Sequence, residues 1–142
     1  MMEKKYELVA WTENVNHPEN ARLYMIPSLD WEMQAPYFNE IGECHSAIRD
    51  NKGVINVGLA RKLAKAYEDN ANFFFFTGHA GRGIRFTLNA ARYCLSSNNV
   101  KHALYGEFIR LCEKAIKLAN LHRRTDVLLE EASKEVLKHY FK

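Results

Sequence analysis

The chain has 142 residues, with 20 Lys and Arg against 17 Asp and Glu, and a formal net charge of +3. Apolar residues make up 47% of it and charged residues 26%, which excludes a disordered or fibrous protein and is typical of a soluble globular one. A chain of this length ordinarily forms one domain, so we predict a single helical domain over residues 1–142.

The charge is distributed unevenly along the sequence. Residues 1–71 contain 8 basic and 11 acidic side chains, whereas residues 72–142 contain 12 basic and 6 acidic ones. A basic half attracts phosphates, an acidic protein or an anionic membrane, and it can equally pair with the acidic half of the same chain. The charge distribution alone therefore indicates classes of partner but no function.

Signals for export, membrane insertion and disulfide formation are absent from the sequence. No apolar stretch in the first 25 residues is long enough for a signal peptide, and none approaches the roughly 20 residues of a spanning helix. The three cysteines, Cys44, Cys94 and Cys112, are odd in number and widely spaced, unlike a disulfide framework or a zinc module. We expect a cytoplasmic protein that does not associate with membranes.

All three prolines lie in the first 36 residues, and this divides the sequence into a broken N-terminal segment, 1–36, and a long-helix core, 37–142. Within the first segment, residues 4–15 fit a helix or a short strand equally well. A turn is predicted at residues 29–35, and Pro36 then either starts or kinks the next helix.

Apolar residues in the core segment recur with the helical period of about 3.6 residues. The first such stripe predicts a helix that stops near Gly53. Asn56 is the predicted cap of a second helix that runs through residues 73–76. The core face predicted for that helix consists of Leu59 or Ala60, Leu63, Tyr67 and Ala71.

A third helix is predicted from Ile84. The last two helices have predicted caps at Asn98 or Asn99 and at Thr125 or Asp126. The stripe predicted for the fourth helix has two rows, one of Leu104, Phe108, Leu111, Ala115, Leu118 and His122 and one of Ile109, Cys112, Ile116 and Ala119. The core residues predicted for the last helix are Leu128, Leu129, Ala132, Val136 and Tyr140.

Four consecutive phenylalanines occupy positions 73–76. At about 100° per residue, their rings point to nearly every side of a helix, so at least one faces away from the core unless the helix is surrounded. A fully buried helix end, an interface or pocket, and a short buried strand all remain open. An exposed ring here would mark a binding surface, for which the candidates are Phe73, Phe74 and Phe76.

Glycines follow at positions 78, 81 and 83, directly before the predicted third helix. This order is typical of a loop that holds a phosphate on a helix N-terminus, with His79, Arg82 and Arg85 available to assist. However, the spacing is neither the dinucleotide fingerprint nor a P-loop, and no series of strands precedes it. The glycines are equally explained by a tight connection between two helices.

No group of residues has the spacing of a metal site or of a catalytic constellation. Adjacent residues on a helix diverge, so Cys44 and His45 cannot act together as nucleophile and base. Cys44 and Cys112 are better explained as small core residues. We therefore expect no catalytic residue, no metal and no cofactor, and a binding protein rather than an enzyme.

The predicted fold is all-α, an irregular antiparallel bundle of about five to seven helices. The predicted function is a non-enzymatic protein–protein interaction module that binds a protein partner or itself, as in a homodimer. The alternative is binding of nucleic acid or a phosphorylated ligand through the basic face and the Gly-rich loop at 78–124. The candidate binding residues are Phe73, Phe74, Phe76, His79, Arg82, Arg85 and Arg92.

Overall fold

The computed structural model describes residues 31–129 and 131–140. These residues contain six helices and no strand, which confirms the predicted all-α class. The chain divides into two compact units, Met1–Val54 and Ile55–Lys142, and each is described by itself. The choice between helix and strand for residues 4–15 lies outside the described residues.

The described part of the first unit is helix α1, Trp31–Asp50. Pro36 lies inside α1, so of the two predicted alternatives it does not start this helix, and whether it kinks the helix stays a prediction. Residues 31–35 belong to α1 rather than to a separate turn before it. The predicted stop is confirmed, because Gly53 has a φ of +78° and its N–H donates to the carbonyl of Ile48 at 2.8 Å.

The second unit begins with helix α2, Val57–Phe76. Its predicted cap is confirmed, because the side-chain oxygen of Asn56 accepts the N–H of Leu59 at 2.8 Å. The helix ends at Thr77, whose hydroxyl donates to the carbonyl of Phe73 at 3.0 Å. The predicted core face of this helix is buried at Ala60, Leu63, Tyr67 and Ala71.

Helix α3 spans Ala80–Tyr93, and helix α4 spans Asn98–Leu121. The cap of α4 is Ser97 rather than Asn98 or Asn99, since the Ser97 hydroxyl accepts the N–H of Val100 at 3.3 Å. The Val100 side chain is buried. The predicted stripe of α4 is buried at Leu104, Phe108, Leu111 and Ala115. Leu104 itself has non-helical backbone angles, so a kink separates the first turns of α4 from the rest.

The chain beyond α4 forms two helices, α5, Thr125–Leu128, and α6, Glu131–Tyr140. The prediction of one continuous last helix was therefore wrong, and so were the caps proposed for it. Arg124 occupies the cap position of α5, although its side chain does not cap the backbone of the helix. The predicted stripe treated Leu129 as a core residue, but Leu129 is 67% exposed.

Helix α3 is central to the second unit and contacts α2, α4, α5 and α6. Phe86 on α3 packs against Tyr67 and Phe74 of α2, with ring centroids 5.6 and 4.9 Å apart. The turns between α2, α3 and α4 are short, which makes neighbouring helices antiparallel. As a result, the C-terminus of α2, the N-terminus of α3 and the C-terminus of α4 lie at the same end of the unit.

A charged cluster joins α2 to α4. Arg110 donates to both carboxylate oxygens of Glu68, at 2.6 and 2.9 Å, and Lys114 donates to the same carboxylate at 2.7 Å. The hydrogen bond from Arg110, assisted by Lys114, lowers the pKa of Glu68 to about 2. Glu68 therefore remains ionised in the folded protein at any physiological pH.

Candidate functional site

Large apolar side chains are exposed at the end of the unit where α2, α3 and α4 meet. Phe76 is 87% exposed, Leu121 70% and Leu129 67%, and they are three of the five large apolar side chains that are exposed in the described part of the chain. The other two are Val54, in the first unit, and Tyr105, nearer the opposite end of α4. Large apolar groups that are exposed at one end of a unit make that end a candidate binding surface.

A ring stack connects α2 to α4 at this end of the unit. The Phe75 ring lies on the imidazole of His122, with centroids 5.9 Å apart and planes inclined by 17°. Gly83 makes room for this ring, because a Cβ at position 83 would lie 2.8 Å from it. The stack places the chain neighbours of its two members, Phe76 and Leu121, at the same end of the unit.

The glycine pattern forms a turn and the start of a helix rather than an open loop. Gly78 has a φ of +82°, which glycine adopts without strain, and it reverses the chain between α2 and α3. Gly81 and Gly83 already belong to α3, which begins four residues before the predicted Ile84. Both glycines permit close packing: a Cβ on Gly81 would lie 2.8 Å from the Arg124 guanidinium.

Basic residues are frequent in the two segments that contain or adjoin the exposed apolar residues. Residues 76–85 and 117–129 contain five Lys and Arg and one acidic residue, Asp126, which accepts a hydrogen bond from Arg124 at 3.1 Å. The first turn of α3 has no acidic residue and no side-chain cap, so the positive end of its dipole adds to this charge. The five cations are Arg82, Arg85, Lys117, Arg123 and Arg124. We call the surface formed by residues 76–85 and 117–129 the basic end.

Burial and the neighbouring Arg85 lower the pKa of Arg82. Burial is the larger of the two causes, and Arg85 lies three positions, about one helical turn, beyond Arg82 on α3.

The structure places four of the predicted binding residues at the basic end, namely Phe76, His79, Arg82 and Arg85. Phe74 is fully buried and Phe73 is 7% exposed, so both rings pack in the core of the unit. Arg92 lies in the last turn of α3, at the opposite end of that helix. Of the seven binding residues predicted from the sequence, four therefore lie at the basic end, two lie in the core and one lies at the opposite end of α3.

Two apolar members of the surface, Leu121 and Leu129, were absent from the predicted site. Leu121 lies outside both rows of apolar residues that form the stripe of α4, and this mismatch is the signal that could have identified it. Leu129 has no comparable signal, because only the break between α5 and α6 turns it towards solvent.

The described residues show little that suits catalysis. Burial raises the pKa of Cys94 and of Cys112 to about 12, so both thiols are protonated and unreactive at neutral pH. No group of three His, Cys, Asp or Glu residues in the described part is arranged to hold a metal ion. None of the described helices has the length and apolar character needed to cross a bilayer.

Two surface cavities in the second unit lie away from the basic end. One, of about 260 Å³, is lined by Arg92, Tyr93 and His139, and the other, of about 240 Å³, is lined by Glu68, Cys94 and Arg110. Both are smaller than the roughly 300–1,000 Å³ of typical ligand pockets. No family model, no curated protein and no solved structure matches this chain, so its function is argued from this geometry.

Proposed function

We propose that the chain is a non-enzymatic helical interaction module that binds protein through the basic end. The observation that supports this most directly is the exposure of Phe76, Leu121 and Leu129, each at least 67%, at the helix ends that meet at one end of the second unit. Interfaces are rich in aromatic side chains and arginine, and both are present here. The stack of the half-buried Phe75 on the exposed His122 links the ends of α2 and α4 that carry Phe76 and Leu121.

A second copy of the chain is one partner that this surface can bind. A symmetric contact between two basic ends buries both sets of apolar residues but brings like charges together. Salt screens that repulsion, so self-association through this surface should strengthen as the salt concentration rises.

The test is the molar mass by light scattering, from low to high salt and over a range of protein concentrations, for the wild type and a Phe76→Ser/Leu121→Ser variant. We expect the mass of the wild type to rise with salt and that of the variant to stay monomeric. Val54→Ser, an exposed valine in the first unit, is the matched control and should behave as the wild type does. A wild type that stays monomeric at every salt and protein concentration, and that retains in a pull-down no protein that the variant does not also retain, would contradict the proposal.

The second candidate function is binding of nucleic acid or a phosphorylated ligand. It is favoured by Arg82 and Arg85 beside the uncapped first turn of α3, and by the exposed ring of Phe76, on which a base could stack. The ratio of absorbance at 260 and 280 nm, recorded on the same low-salt samples, tests it. A ratio typical of bound nucleic acid that falls at high salt would support this candidate over the first.

A further inference from the structure

We propose that the cavity at the C-terminal end of α3 binds a small organic anion, one with a single ring and a carboxylate or phosphate group. The cavity is formed by the last turn of α3, the turn that leads to α4, and α6, and we call it the α3–α6 cavity. It lies away from the basic end, so this binding activity goes beyond the proposed function and does not depend on it. Its described lining residues are Arg92, Tyr93, Leu95, Ser96, Val136 and His139.

The core of the unit holds the apolar wall of the α3–α6 cavity in place. The ring of Tyr93 stacks on the fully buried ring of Tyr67, with centroids 5.2 Å apart and planes inclined by 26°. Val136 is 1% exposed, and Leu95 is half-buried. The wall is therefore formed before a ligand arrives, which reduces the conformational freedom that is lost on binding.

The volume of the α3–α6 cavity, about 260 Å³, limits the size of the ligand. An apolar cavity of roughly 150 Å³ holds a benzene molecule, and pockets for drug-sized ligands begin near roughly 300 Å³. The volume therefore suits one ring with one attached charged group.

The side chains that can bind the charged group are basic, and the described lining of the cavity includes no acidic residue. Arg92 donates with Nη1 to the amide oxygen of Asn89 at 3.4 Å, a long contact within α3. Its Nε and Nη2 form no hydrogen bond in the described part of the chain, so they are available as the fork that arginine presents to carboxylates and phosphates. The imidazole of His139 likewise has no hydrogen bond to the residues that the structure describes, and it can donate an N–H.

Ser96 lines the same cavity but has no hydrogen to offer an anion. Its hydroxyl already donates to the carbonyl of Tyr93 at 2.7 Å, so its oxygen can only accept. The anionic group is therefore bound by Arg92 and His139, and the ring of the ligand lies against the apolar wall.

The experiment titrates the ¹⁵N-labelled whole chain with four probes and follows its amide ¹H–¹⁵N spectrum. Phenylacetate and phenyl phosphate carry the two kinds of anionic group on one ring, 2-phenylacetamide is the neutral match, and inorganic phosphate lacks the ring. We expect at least one of the two ring anions to shift the signals of residues 92–96 and 136–139 saturably, with a dissociation constant of about 1 mM or lower. That anion should bind about tenfold or more tightly than 2-phenylacetamide and than inorganic phosphate. The tighter of the two ring anions identifies the charged group that the cavity prefers.

Variants locate the contact. Arg92→Gln and His139→Gln should each weaken binding of the preferred ring anion by about tenfold. Arg92→Lys keeps the charge without the fork and should recover only part of the affinity. Lys62→Gln is the matched control, because Lys62 is an exposed cation on α2 that is not among the described lining residues of either cavity, and it should leave binding unchanged. Thermal melts by circular dichroism show that each variant is folded.

Four results would overturn the proposal. They are equal binding of the ring anions and 2-phenylacetamide, equal binding of the ring anions and inorganic phosphate, unchanged binding in folded Arg92→Gln, and no saturable shift in residues 92–96 and 136–139 at about 10 mM of either ring anion. The proposed function is tested separately by light scattering of variants at the basic end, so the failure of either proposal leaves the other intact.

Discussion

The ring of Phe75 stacks on the imidazole of His122, 47 positions further along the chain, with centroids 5.9 Å apart. This contact joins the C-terminus of α2 to the C-terminus of α4. The contact depends on Gly83, which lies in the first turn of α3. A side chain at position 83 would occupy the space of the Phe75 ring. The stack of Phe75 on His122 thus requires a residue without a side chain at position 83.

Gly83→Ala should therefore destabilise the protein. The added methyl would lie 2.8 Å from the Phe75 ring, and overpacking of this kind costs about 1–3 kcal/mol. The matched control is Gly106→Ala in α4, where nothing lies within 4 Å of the new Cβ. That change should stabilise the protein by about 0.5–1 kcal/mol, since alanine is the better helix former. Urea unfolding checks both, and equal effects of the two substitutions would contradict the role of Gly83.

Glu68→Gln should reduce stability in a way that depends on pH. Arg110 and Lys114 lose their common carboxylate, at a cost of about 1–2 kcal/mol near neutral pH. The pKa of Glu68 is lowered from 4.5 to about 2, so its contribution is present above pH 4.5 and is lost as the pH falls towards 2. The difference in melting temperature between wild type and variant should shrink over that range.

The control for this prediction is the exposed pair on the same helix. Asp69→Asn removes the contact of Lys65 with Asp69, an i, i+4 pair at 2.8 Å, and should cost less than about 0.5 kcal/mol. A loss of stability on Glu68→Gln that is unchanged down to pH 2 would show that its charge is not what stabilises the contact between α2 and α4.

Asn70→Leu should stabilise the protein. Asn70 is fully buried on α2, and neither its side-chain oxygen nor its nitrogen has a hydrogen-bond partner among the described residues. A leucine of similar size removes the cost of the buried polar atoms, for a gain of about 1–2 kcal/mol. Asn72→Leu is the control: Asn72 is exposed and accepts a hydrogen bond from Lys114 at 2.8 Å, so no gain is expected. A lower melting temperature for Asn70→Leu than for the wild type would contradict this reasoning.

The sequence predicted the features of the fold that depend on local interactions. The cap at Asn56 and the stop at Gly53 each involve residues within five positions of one another, and both are present. The start of α3 was predicted too late because Gly81 and Gly83 disfavour a helix when judged by propensity alone. Their contacts with Arg124 and Phe75 come from distant parts of the chain and explain why glycine is present there.

For the candidate site too, the sequence predicted what depends on local structure and not what depends on contacts between distant parts of the chain. Four successive aromatic rings on one helix cannot all face one core, and Phe76 is the ring that faces solvent. The contributions of Leu121, Leu129 and Arg124 depend on which helix ends meet. The amphipathic pattern of a single helix carries no information about that arrangement.

The most direct test of the central claim, that the basic end binds protein, is an amide ¹H–¹⁵N spectrum of the labelled chain at high salt, recorded over a range of protein concentrations. The account predicts that the signals that shift with concentration concentrate in residues 76–85 and 117–129, and that these shifts disappear in the Phe76→Ser/Leu121→Ser variant. Shifts concentrated instead around Arg92 and His139 at the opposite end of the unit would contradict it.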